Sequence, residues 1–87
     1  MPVTLPSWFK GRQGKAEEAA PQLLRLTGPN LNEWHIGIRR GETGRWVAFV
    51  RKTAAGPDAA AAELGPDAPE YEAWEAAFEI YRNHVIT

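Results

Sequence analysis

Residues 34–51 read WHIGIRRGETGRWVAFVR. Side chains alternate between faces along a strand, so Trp34, Ile36 and Ile38 share one face of a first strand and Trp46, Ala48 and Val50 one face of a second. Between them RGETGR has the glycines and polar residues of a hairpin loop. Pairing Ile38 with Trp46, Ile36 with Ala48 and Trp34 with Val50 gathers all of these into one apolar face. The other face carries Glu33, His35, Gly37, Arg39, Arg45, Val47, Phe49 and Arg51. A slip of one residue would mix the two sets, so the pattern specifies which side chains turn inward. The hairpin is expected to make core on one face and to display arginine around His35 and Phe49 on the other.

Upstream, QLLRLT (22–27) reads as a short strand with Leu24 and Leu26 on one face, and GPN (28–30) as a turn. Residues 1–20 read as an N-terminal tail. Pro2 and Pro6 interrupt it, KGRQGK (10–15) is polar and glycine-punctuated, and KAEEAA (15–20) favours a helical turn stopped by Pro21. Trp8 and Phe9 are expected to clamp that tail to the domain; left exposed, they would instead offer a partner an adhesive spot.

Downstream, Asp58 can cap a short helix from Ala59 to Leu64, with Gly65 as its stop. The alternative is a further strand over Ala60–Leu64, although polyalanine is a poor strand former. GPDA occurs at Gly56 and again at Gly65, which reads as two similar helix starts. Asp67 and Glu70 have the spacing of a capping box. Tyr71, Trp74, Phe78, Tyr81 and Val85 recur at intervals of three and four, which predicts an apolar stripe on a helix from about Ala68 to Val85. The expected fold is therefore α+β: over residues 21–87, a three-stranded antiparallel sheet packed on one long C-terminal helix, with a short helix before it. The stripe either packs on the sheet of a monomer or forms the seam of a homodimer.

The chain has 87 residues and no cysteine. That length makes one domain with a small core, so the aromatics must supply much of the burial. The lack of cysteine excludes disulfides, a thiolate nucleophile and a cysteine-based zinc site. No apolar run has the length of a signal peptide or a membrane span, which predicts a cytoplasmic protein with no membrane partner. Catalytic material is scarce. Ser7 is the one serine, His35 and His84 share no ligand motif, and Gly37, Gly41 and Gly44 lie in a hairpin instead of a phosphate loop. The expectation is a non-enzyme without metal or cofactor. Charge is segregated along the chain: Arg39, Arg40, Arg45, Arg51 and Lys52 stand against Glu42, whereas residues 58–82 are strongly acidic.

GIRRGETGRWVAFVR (37–51) resembles the first two strands of the plant ethylene-response-factor (apetala-type) DNA-binding domain. Gly37, Ile38 and Arg39, then Gly44, Arg45, Trp46, Ala48, Val50 and Arg51 fall in step with that family's pattern. The resemblance implies a third strand, matched here only by Leu64 and Gly65 at its end, and an alanine-rich helix. It also implies a sheet that lies in the major groove, with Arg39, Arg45, Trp46 and Arg51 as contacts. Alternation itself turns Trp46 toward the helix. The third strand is alanine and glutamate where the family is aromatic and basic, and the net charge is −1. Two function classes follow for a face built from Arg39, Arg45, Arg51, His35 and Phe49. One is a nucleic-acid-binding (DNA-binding) module; the other is a protein-interaction or regulatory domain that docks an acidic partner.

Overall fold

The computed structural model describes residues 5–29 and 31–86. Asn30 of the expected turn lies outside them, as do residues 1–4 of the expected tail. A short helix α1 (Ser7–Gly11) is followed by strands β1 (Lys15–Ala20), β2 (Leu23–Gly28), β3 (Leu31–Arg40), β4 (Trp46–Arg51) and β5 (Asp58–Glu63), then helix α2 (Glu70–Tyr81) and one π-helical turn, Arg82–Ile86. The strands form one sheet in the order β1-β2-β3-β4-β5, every neighbouring pair antiparallel. The α+β class is as expected, but the sheet has five strands where three were expected.

Both additional strands overrule local propensity. KAEEAA was expected as a helical turn. It runs instead as β1, because Gln13 (φ 59°) and Gln22 (φ 62°) turn the chain back on either side and β2 supplies its backbone partners. DAAAAE was read as a capped helix with a further strand as the alternative. It takes the alternative, running as β5 against β4, and Leu64 N–H extends the pairing to the Trp46 carbonyl at 2.9 Å. Tertiary pairing routinely outweighs alanine's helix preference in so short a segment.

The β3–β4 hairpin keeps the expected faces with a different register. Ile38 lies opposite Ala48, Ile36 opposite Val50, and Arg40 opposite Trp46. The turn is tighter than expected: Gly41 N–H donates to the Arg45 carbonyl at 2.8 Å, Gly44 N–H to the Gly41 carbonyl at 3.0 Å, and Gly44 takes φ +82°. Because the shift is two residues, no side chain changes face.

α2 lies across β3, β4 and β5. It buries Ala73, Trp74, Ala77, Phe78 and Tyr81 against Leu24, Leu26, Ile36, Ile38, Trp46, Ala48 and Val50. Each large side chain so buried contributes about 1.5–3 kcal/mol. Tyr71 is not part of the stripe; it is 63% exposed, one position outside the buried arc. No capping box forms either, since Pro69 is the N-cap and no side chain bonds there. Trp74, Phe78 and Tyr81 of the stripe pack into the chain's own core.

The tail is anchored, as the aromatic pair suggested. Phe9 is fully buried, its ring 5.5 Å from Phe78 and 6.1 Å from Tyr81. Trp8 stacks on Tyr81 at 6.2 Å, and the Arg82 guanidinium lies over the Trp8 ring at 5.5 Å. Burial pushes the Tyr81 phenol above its ordinary 10.0.

Candidate functional site

The sheet face turned away from α2 is built in rows, because antiparallel partners share a face. One row crosses the whole sheet: Glu17, Arg25, His35, Arg51 and Asp58 lie opposite one another on β1 to β5. The next contains Leu23, Gly37, Phe49 and Ala61, and the next Arg39, Val47 and Glu63.

Gly37 shapes the middle of this face. A Cβ there would lie 2.5 Å from the Phe49 ring and 2.6 Å from the Gln22 carbonyl oxygen. The bare backbone lets Phe49 lie across β3, and it is only 5% exposed although α2 is on the other side. The guanidiniums of Arg39 and Arg51 cover the ring, 4.8 and 4.4 Å from its centroid.

Both then converge on Asp58. Arg51 Nε donates to Oδ1 at 2.8 Å and Arg39 lies 3.0 Å from Oδ2. Burial pushes the Asp58 carboxyl up, but the hydrogen bonds and charges of Arg51 and Arg39 outweigh it, so it titrates below its ordinary 3.8. Arg45 meets Glu63 at 3.6 Å, and Arg25 bridges Glu17 and, at 3.8 Å, Glu33.

His35 sits between Arg25 and Arg51, 5% exposed, with no hydrogen-bond partner for Nδ1. Arg51 also donates to the Ala54 carbonyl at 3.3 Å, which draws the β4–β5 loop toward this row. Loop and row border an open surface recess of about 480 Å³ lined by Glu17, Arg25, Glu33, His35 and Thr53 among others. On the opposite side of the molecule Glu70, Glu72, Glu75 and Glu79 of α2 are exposed.

Arg39, Arg45 and Arg51 thus lie on the face expected of them, and Arg39 and Arg51 are brought together on Phe49. His35 and Phe49 are not displayed: the first is buried between Arg25 and Arg51 of its own row, and the gap at Gly37 admits the second. Trp46, a contact that the resemblance implied, lies on the α2 side, 7% exposed under Arg40. The arginines are not a bare basic patch, because β5 supplies carboxylates to all three. Preferring a helix to the alternative strand over β5 hid Asp58 and Glu63, and reading β1 as a helical turn hid Glu17. Strand alternation through KAEEAA and QLLRLT would have set Glu17 beside Arg25. No group of three metal-ligating side chains occurs among the described residues, nor any helix long and apolar enough to cross a membrane. No family model, curated protein or solved structure matches the chain.

Proposed function

We propose that this chain is a small, non-catalytic module that binds a partner protein through the sheet face opposite α2. The observation that carries this reading is charge balance on that face. Arg25, Arg39, Arg45 and Arg51 stand against Glu17, Glu33, Asp58 and Glu63, each arginine within 4 Å of a carboxylate of the same face. Polyanions are held by excess positive charge that releases counterions. A mosaic of fixed, paired charges around an aromatic centre instead suits a protein surface, where the pattern of charge sets register and specificity. The partner therefore need not be acidic, as the arginines alone suggested.

A second reading, nucleic-acid binding, has its own support. β3, β4 and β5 precede α2 in the order the ethylene-response-factor resemblance implies, Leu64 and Gly65 close β5, and Arg39 and Arg51 face away from α2. Phosphates would then have to draw both arginines from Asp58.

The test compares tagged wild type with Arg45→Glu on the sheet face and Glu72→Lys on the outer face of α2. A protein captured from lysate after nuclease treatment, kept by Glu72→Lys and lost by Arg45→Glu, is the expected result. Oligonucleotide binding at low salt tighter than the roughly 10⁻⁴ M of weak non-specific contact would favour the second reading.

A further inference from the structure

We infer that the free edge of β5 pairs with β5 of a second copy of this chain, antiparallel about a two-fold axis at Ala62, so that two sheets join into one. Among the described residues no strand lies beyond β5. The hydrogen-bond phase fixes which of its backbone groups face outward. Leu64 N–H donates to the Trp46 carbonyl at 2.9 Å, so Ala62 with Ala48 and Ala60 with Val50 are the bonded pairs of this antiparallel ladder. The N–H and C=O of Ala61 and of Glu63 therefore point away from β4. Proteins usually guard such an edge with lysine, proline or a bulge. DAAAAE holds neither lysine nor proline, and its bulge lies at the Asp58 end, which leaves residues 60–63 regular. Ala61 and Ala62, on opposite faces, are both exposed, so the chain itself covers neither side of the edge. The edge of β1 is guarded, by Lys15, Glu17, Glu18 and a bulge between Glu18 and Ala20. That disfavours β5-to-β1 pairing, which would propagate into a filament, and leaves the closed two-fold pair.

The edge is complementary to itself. Pairing about Ala62 sets Ala61 opposite Glu63 of the copy and Glu63 opposite its Ala61. Both pairs exchange their hydrogen bonds, so every outward group at these positions is used. Ala61 and Glu63 lie on the same face, so the axis keeps each sheet face continuous. Charge agrees with this register. Arg39 and Arg51 share the carboxylate of Asp58, whereas Arg25 has both Glu17 and Glu33. The face is balanced as a whole but locally positive beside β5. Glu63 of the copy enters at Ala61, in the row of Phe49, whose ring carries both guanidiniums. Only a methyl group stands between. Glu63 holds Arg45 at 3.6 Å, and a carboxylate accepts from several donors at once. Pairing about Ala61 would put Glu63 against the bulged Ala59, and pairing about Glu63 would set like charges opposite one another. The dimer carries its two sheet faces side by side, which doubles the candidate site.

So short a contact is at the low end of interface sizes, and the expected dissociation constant is roughly 10⁻⁵–10⁻³ M. Sedimentation equilibrium and amide hydrogen exchange of the purified protein are followed across that range. Mass should rise toward the dimer with concentration, and the amides of Ala61 and Glu63 should gain protection while Ala60 and Ala62, already in the ladder, do not change. Ala61→Pro removes an outward N–H and no bond to β4, at the kind of edge position where proline is tolerated; it should stay monomeric throughout. Ala61→Thr keeps the N–H and should dimerise at least as well as wild type. Glu63→Gln should weaken the dimer about twofold to fivefold, the range an exposed ion pair supplies, and Glu72→Gln on α2 should leave it unchanged. If Ala61→Pro does not fold, the protection of Ala61 and Glu63 in wild type decides alone. A monomer at every concentration, or a dimer in which those two amides stay unprotected, would overturn the inference. So would a monomer whose captured partner is lost with Ala61→Pro, since the edge would then belong to a strand of the partner. The protein-interaction reading is tested separately by capture and does not depend on this result.

Discussion

Gly37→Ala probes the construction of the sheet face with one methyl group. The added Cβ meets the Phe49 ring at 2.5 Å and the Gln22 carbonyl oxygen at 2.6 Å. The ring can tilt, but the carbonyl is backbone and already accepts Ile38 N–H at 3.2 Å. Relief therefore requires β3 and the β1–β2 turn to separate. Overpacking of this kind costs about 1–3 kcal/mol. Removing a glycine from a strand returns about 0.5–1 kcal/mol of that. The net expectation is about 1–2 kcal/mol, or a Tm lower by roughly 5–15 °C in a domain of this size. Gly65→Ala is the control, since nothing lies within 4 Å of its Cβ, and it should stay within about 0.5 kcal/mol of wild type. Urea melts of the three proteins give the answer directly. If Gly37→Ala also melts within about 0.5 kcal/mol of wild type, Phe49 does not lie across β3 and the two arginines are not placed as described.

Phe9→Ala should cost about 3–5 kcal/mol in a denaturant melt, because a fully buried ring between α1 and α2 is removed; a loss under about 1 kcal/mol would mean a free N-terminal segment. Trp74→Ala should be as damaging, whereas Tyr71→Ala, at 63% exposure, should fall within about 0.5 kcal/mol in the same melts. Asp58 titrates below its ordinary 3.8 when folded, so its ion pairs add stability above that value and lose it as pH falls through the lower, folded-state pKa. The stability gap between wild type and Asp58→Asn should accordingly be constant near neutrality and narrow below about pH 4; a gap that stays constant down to pH 3 would show that the two arginines do not hold the carboxylate.

The parts of this fold that were legible are those in which periodicity and burial agree. Alternation through residues 34–51 assigns each side chain its face, and it survives a two-residue error in register because the period is two. The spacing of Trp74, Phe78 and Tyr81 marks the buried arc of α2, although the same spacing wrongly admits Tyr71. β1 was illegible, and β5 stood only as the alternative to a helix, for a physical reason. Both are short and alanine-rich, so local propensity points to helix, and only the partner strand makes them extended. Preferring a helix there hid which carboxylates, Asp58 and Glu63, meet the arginines. The burial of Phe49 was equally hidden, because it depends on the absent side chain of Gly37 on the neighbouring strand.

Which face the partner covers is the most direct question to put to this account. A photo-crosslinking residue at Ala61, exposed on β5 in the row of Phe49, reports on the sheet face. The same residue at Glu72 reports on the outer surface of α2. Under nuclease treatment, the account predicts a discrete protein crosslink from position 61 and none from position 72. A crosslink from position 72 alone, or a product at position 61 that disappears with nuclease, would contradict it.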